Sequence, residues 1–206
     1  MTVPLRIAGS LFLGVLLVMG GAMPANSQSD RVRVKIGVMV KSGKKVMRAK
    51  KRSRIRAGDR LRIYAAPEKP SYVYIVHSDM KTATVLNDAK QQAGNKILTL
   101  PSAQDFYEID GESKKETITI VCSPAKPAKM SQLFGSGQAP HSAWAALEKE
   151  LIEKSRIDLT HKAEKPFTIA GNVRGVGGAA DPFVAELKTV SGKSLVVGKY
   201  EFRVKK

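Results

Sequence analysis

Between residues 57 and 124 apolar and polar residues alternate with a period of two, and turn residues interrupt them every few positions. That pattern commits the segment to short β-strands, because successive side chains on a strand point to opposite faces. Over residues 59–66, Leu61, Ile63 and Ala65 alternate with Arg60, Arg62 and Tyr64. Pro67 and Pro70 bracket a turn, since proline fixes φ and cannot donate to a ladder. Residues 71–77 are apolar on both faces, with Tyr72, Tyr74 and Val76 on one and Val73, Ile75 and His77 on the other. Such a strand belongs in the middle of a sheet. Ser78 to Lys81 read as a tight turn into a strand at 82–86, which makes a hairpin. The polar stretch 88–96 reads as a loop, followed by strands at 97–100, 106–109 and 116–122, with Asp110 and Gly111 as a turn.

The flanks extend the same pattern. Val32, Val34, Ile36 and Val38 alternate with Arg31, Arg33, Lys35 and Gly37, which predicts a strand with one apolar and one cationic face. Ser42 and Gly43 end it. After a proline-rich connection at 123–127, Trp144, Leu147 and Leu151 recur at helical spacing. They predict a helix over 141–154 with Ser142 as its cap and Glu148, Lys149 and Glu150 on its outer side. A strand at 167–170, a glycine-rich loop at 172–181 and a terminal hairpin follow. The hairpin pairs 183–190 with 195–204 across Ser191, Gly192 and Lys193, with Tyr200, Phe202 and Val204 on its apolar face.

Many short strands separated by turns predict a mainly β fold, a mostly antiparallel sandwich or open barrel, with one helix packed on it through Trp144. Four segments are expected: a signal peptide at 1–27, a strand and basic arm at 28–56, a core β module at 57–124, and the helix and hairpin at 125–206. The last three pack as one domain, which suits the 179 residues left after residue 27.

The first segment carries the signal-peptide pattern. Arg6 precedes an uncharged apolar run at 7–23; Pro24 breaks it, and Ala25 and Ser27 supply small residues for cleavage after Ser27, or after Ala25. A retained anchor fits less well, because Gly9, Gly14, Gly20 and Gly21 interrupt a run near the lower length limit for a span. Export to the periplasm or beyond is the expectation, with no membrane span in the mature chain. Cys122 is the single cysteine, so no disulfide forms within the chain. Its alternation with Ile118 and Ile120 predicts a buried, packing thiol.

Chemistry is sparse. His77, His141 and His161 form no metal-ligand spacing, and no metal or other cofactor is expected. Gly135, Ser136 and Gly137 do not meet the GxSxG elbow, and the glycines of 171–177 lack dinucleotide-binding spacing. A Cys122/His77 nucleophile pair, the enzymatic alternative, needs proximity and a third, orienting group. The reading is therefore non-enzymatic: no catalytic residue and no small-molecule substrate.

Charge is the stronger signal. Residues 41–56 hold nine lysines and arginines and no acid. Lys44, Lys45, Arg48, Lys50, Lys51, Arg52, Arg54 and Arg56 are the candidate anion-binding residues. Without residues 1–27, 34 basic residues face 18 acids, a net charge of +16. The matching partners are a protein or an anionic component of the envelope: lipid head groups, lipopolysaccharide phosphates or acidic glycans. Nucleic acid is disfavoured, because export separates the two and no aromatic residue interleaves the basic run. The plainer alternative is a solvated basic face that only keeps the chain in solution.

Gly58, Asp59, Arg60 and Leu61, the run Tyr72, Val73, Tyr74 and Ile75, the turn at Asp79, and the segment ETITIVCS at 116–123 together resemble the domain of unknown function 4384 family. The resemblance covers residues 57–124. It implies a bacterial β-rich module, found alone in secreted proteins or joined to signalling or caspase-like domains, and it carries over no catalytic residue. Met80 stands where that family commonly has a turn glycine, and Val85 and Leu86 replace an aromatic–proline pair before Asn87.

Overall fold

The computed structural model describes residues 31–156 and 181–205. The signal segment, His161, the expected strand at 167–170 and the glycines of 171–177 lie outside the described residues.

Thirteen strands form among the described residues. They are β1 Val32–Ser42, β2 Lys45–Arg48, β3 Arg52–Arg56, β4 Arg60–Pro67, β5 Ser71–Ser78, β6 Thr82–Val85 and β7 Gln91–Gln92. Then come β8 Leu98–Leu100, β9 Tyr107–Glu108, β10 Lys115–Ser123, β11 Gln138–Pro140, β12 Lys188–Gly192 and β13 Val196–Lys205. Helices α1 (Ala128–Leu133) and α2 (His141–Ser155) flank β11, and a 3-10 helix spans Pro182–Glu186.

The strands form two sheets. The first runs β12-β1-β4-β8, with β2 on β1 and β9 on β4; the second runs β11-β6-β5-β10-β13-β3, with β7 on β5. Among the described residues every pairing is antiparallel except β3 on β13. The inner faces interdigitate: Val34, Ile36 and Val38 of β1 and Ile63 of β4 meet Ile75 of β5, Ile120 and Cys122 of β10 and Phe202 of β13 in one cluster. Each such side chain contributes roughly 1.5–3 kcal/mol by leaving water. The fold is thus a mainly β, mostly antiparallel sandwich, as the alternation predicts.

Both outer faces are covered as well. On the second sheet, α1 and α2 bring Met130, Trp144, Leu147 and Leu151 against Tyr74, Val76 and Val121. On the first, the 3-10 helix sets Phe183 against Tyr64 with ring centroids 5.1 Å apart. Asp181 fastens that helix: its carboxylate accepts from the Tyr64 hydroxyl at 2.6 Å and from the Phe183 amide at 3.0 Å. The Arg62 guanidinium lies 3.9 Å from the Phe106 ring centroid. Arg62 and Tyr64 are therefore buried, on the strand face opposite Leu61 and Ile63. Burial holds the Tyr64 phenol well above its ordinary range.

Other expectations change. The terminal hairpin does not form: β12 pairs with β1 in the first sheet and β13 with β10 in the second. The chain turns between sheets at Gly192, where a Cβ would lie 1.8 Å from the Leu195 carbonyl oxygen. Residues 183–186 are helical rather than extended. The predicted helix begins at His141 after Pro140 with no side-chain cap, so Ser142 lies inside its first turn. Glu148 is buried rather than outward, the polar stretch 88–96 contains β7, and α1 adds a short helix that no sequence period announced.

The β5–β6 hairpin turns through Asp79, Met80 and Lys81. The Asp79 carboxylate accepts from the amides of Lys81 and Thr82 at 2.8 and 2.7 Å, and the Thr82 bond chiefly holds its acid below the usual range. Met80 has φ +75°, the left-handed region that favours glycine. A side chain there costs about 1–2 kcal/mol, against the roughly 0.5–1 kcal/mol that glycine loses in chain entropy. Met80→Gly is expected to raise stability by about 0.5–1 kcal/mol in urea unfolding; a loss would mean that the half-exposed methionine packs more than its position suggests.

Candidate anion-binding surface

The basic run does not project as an arm. It is woven into both sheets. Gly43 and Lys44 make the two-residue turn between β1 and β2, with Gly43 at φ +55° as the first turn position of such hairpins requires. Lys45 and Arg48 belong to β2, Lys50 and Lys51 to the crossing between sheets, and Arg52, Arg54 and Arg56 to β3. All eight are exposed, while Ala49 and Ile55 between them are buried in the sandwich core and fix the path. The Ala49 amide donates to the Val38 carbonyl at 2.8 Å, and Ser53 ties the Lys50 backbone into a turn. Arg48 donates to the Glu186 carbonyl at 2.6 Å and is spoken for.

The structure then adds cations that the run did not include. In the β3–β13 ladder, Arg52 lies beside Glu201, Arg54 beside Arg203 and Arg56 beside Lys205. In the next ladder Arg203 lies beside Lys115 of β10. Phe202 and Ile55 point into the core, so these alternate residues all face outward. The result is a grid of six cations and one acid, spaced about 7 Å along the strands and about 5 Å between them. Glu201 is shared among Arg52 at 3.7 Å, Lys115 at 3.9 Å and Lys199 at 3.8 Å. Arg54, Arg56, Arg203 and Lys205 make no ion pair among the described residues. A depression of about 510 Å³ opens here, lined by Arg52, Ser53, Arg54, Lys115, Glu201 and Arg203.

Like charges directly opposite on neighbouring strands destabilise a sheet. Cations on β3 alone would serve to block edge-to-edge pairing, because β3 is an edge strand. That does not explain Arg203 and Lys115, which sit on interior strands. An anion lying across the three strands offsets the repulsion on all of them at once. Sequence reasoning reached Arg52, Arg54 and Arg56 but missed Lys115, Arg203 and Lys205, which lie far along the chain. Arg203 and Lys205 alternate with Phe202 and Val204 along β13, and Lys115 opens β10, but local order does not say that these strands and β3 are neighbours.

The residues considered for catalysis are not brought together. Cys122 is fully buried in the core, and burial pushes its thiol up to about 11. On the β5–β10 ladder Cys122 aligns with Val73 while His77 aligns with Ile118, four positions away, or about 13 Å. No Cys122/His77 pair forms. His77 instead contacts Glu116 at 3.3 Å. His141 Nδ1 meets the hydroxyl of Ser78 at 2.7 Å, but Ser78 is fully buried and donates to the Thr82 carbonyl, so the contact docks α2 on the β5–β6 turn. Among the described residues no group of three or more His, Cys, Asp or Glu side chains could hold a metal, and no helix is long and apolar enough to cross a membrane.

No family model, curated protein or solved structure matches this chain.

Proposed function

We propose that this protein is an exported, non-enzymatic β-rich module of the bacterial cell envelope that binds an anionic envelope component across β3, β13 and β10. One observation carries the reading: Lys115, Arg203 and Arg54 stand side by side on three adjacent strands, and among the described residues only Glu201 relieves the surrounding charge. The signal-peptide pattern of residues 1–27 supports the location, and the resemblance of residues 57–124 to the domain of unknown function 4384 family supports the module.

The test is co-sedimentation of residues 28–206, the chain left after cleavage, with phosphatidylglycerol vesicles and with lipopolysaccharide, against phosphatidylcholine vesicles. A cation near an anionic surface contributes roughly 1 kcal/mol, so Arg54→Glu with Arg203→Glu is expected to weaken binding by at least about thirtyfold. Lys69→Glu with Lys96→Glu, at the far end of the second sheet, should change it little. Binding should also fall steeply with salt. Salt-independent binding that survives the first double variant would overturn the proposal.

A further inference from the structure

Among the described residues the exposed large hydrophobic side chains are Val46, Met47 and Met80. Two of the three are neighbours on β2, beside the β1–β2 turn, at 51% and 41% exposure. Exposed apolar residues rimmed by polar ones mark contact surfaces. Here the rim is cationic: Lys44 and Lys45 precede the pair and Arg48 follows it. Met47 is also continuous with the charge grid. Met47 and Lys45 line the same depression of about 320 Å³ as Arg54, Arg56 and Lys205. Its one acid, Asp59, already accepts from the Arg56 amide at 2.8 Å.

Resting on the reading above, we infer that the anionic component is a lipid bilayer and that the β1–β2 tip, residues 43–47, enters its interfacial layer. Charge complementarity selects this occupant. Head-group phosphates engage Arg54, Arg56, Lys205 and Lys45, and that contact brings Val46 and Met47 to the depth of the acyl boundary. Cationic side chains around a small apolar tip are the two components of interfacial binding: attraction to anionic lipid and burial of apolar area. A soluble polyanion or a glycan uses the cations and leaves Val46 and Met47 in water. A bilayer uses both.

The experiment uses residues 28–206 carrying Met47→Trp, with phosphatidylglycerol vesicles whose acyl chains are brominated. The indole of the parent, Trp144, is buried under α2 and serves as the unquenched baseline. In the variant, emission is expected to shift to the blue and to fall by at least half on vesicle binding, while the parent changes little. Val46→Ser with Met47→Ser is expected to reduce partitioning into unbrominated vesicles about tenfold through the lost apolar burial. Vesicle binding that depends on Arg54 and Arg203 but leaves the introduced indole unquenched overturns insertion and leaves the charge reading standing. Binding to lipopolysaccharide without binding to vesicles does the same. Binding to neither overturns both.

Discussion

Trp144→Ala is expected to lower the unfolding free energy by about 4 kcal/mol, as truncation of a large buried aromatic does. The indole is 1% exposed, and its ring centroid lies 5.5 Å from that of Phe134. It joins α2 to α1 and both helices to Tyr74, Val76 and Val121 on the outer face of the second sheet. Removing it leaves a cavity between two layers that cannot both collapse, because the sheet is pinned on its other face by the sandwich core. Urea unfolding gives the magnitude. Hydrogen exchange gives the location: protection should fall first along α2 and α1, with β1 and β4 in the first sheet protected until global unfolding. A loss below about 1 kcal/mol would mean that the helices decorate the sandwich without supporting it.

Lys199→Ala is expected to cost about 3 kcal/mol, and most of that should return when Glu148→Leu is added. Glu148 is 5% exposed on the sheet-facing side of α2. Its carboxylate accepts from the Thr119 hydroxyl at 2.5 Å and from Lys199 Nζ at 2.6 Å. Removing the lysine leaves a buried carboxylate with one neutral donor, and breaking a buried pair typically costs about 3–5 kcal/mol. The low end applies because the Lys199 side chain retains 31% exposure. A leucine at position 148 needs no partner, and an apolar replacement of a buried pair is often neutral. A double-mutant cycle measures the coupling directly; strictly additive losses would show that the two side chains do not depend on each other.

Both predictions involve residues on α2, and the helix shows what a periodic pattern can and cannot say. Trp144, Leu147 and Leu151 were legible as its buried face because they recur at helical spacing. Glu148 lies beside Leu147 and Leu151 on the same turn, yet its charge argued for the outside. Its burial depends on Lys199, fifty-one positions away and brought near only when β13 pairs with β10. The same limit applies to the surface. The basic run at 41–56 was visible as composition, and three of its arginines line the charge grid. Lys115 and Lys205 lay just beyond the expected strands at 116–122 and 195–204, and nothing local places them or Arg203 beside β3.

Strand content, the mainly β class, the position of the long helix, the burial of Cys122 and the hairpin at Asp79 followed from residue order alone, because alternation and turn chemistry are local. Which strand lies beside which was decided by the packing of whole faces. Gly192 sends β12 and β13 to different sheets, Ile55 draws β3 into the core so that it pairs in parallel with β13, the 3-10 helix covers Tyr64, and Phe106 with Asp181 covers Arg62. A period of two assigns each side chain to a face of its strand; only the closed sandwich says what else occupies that face.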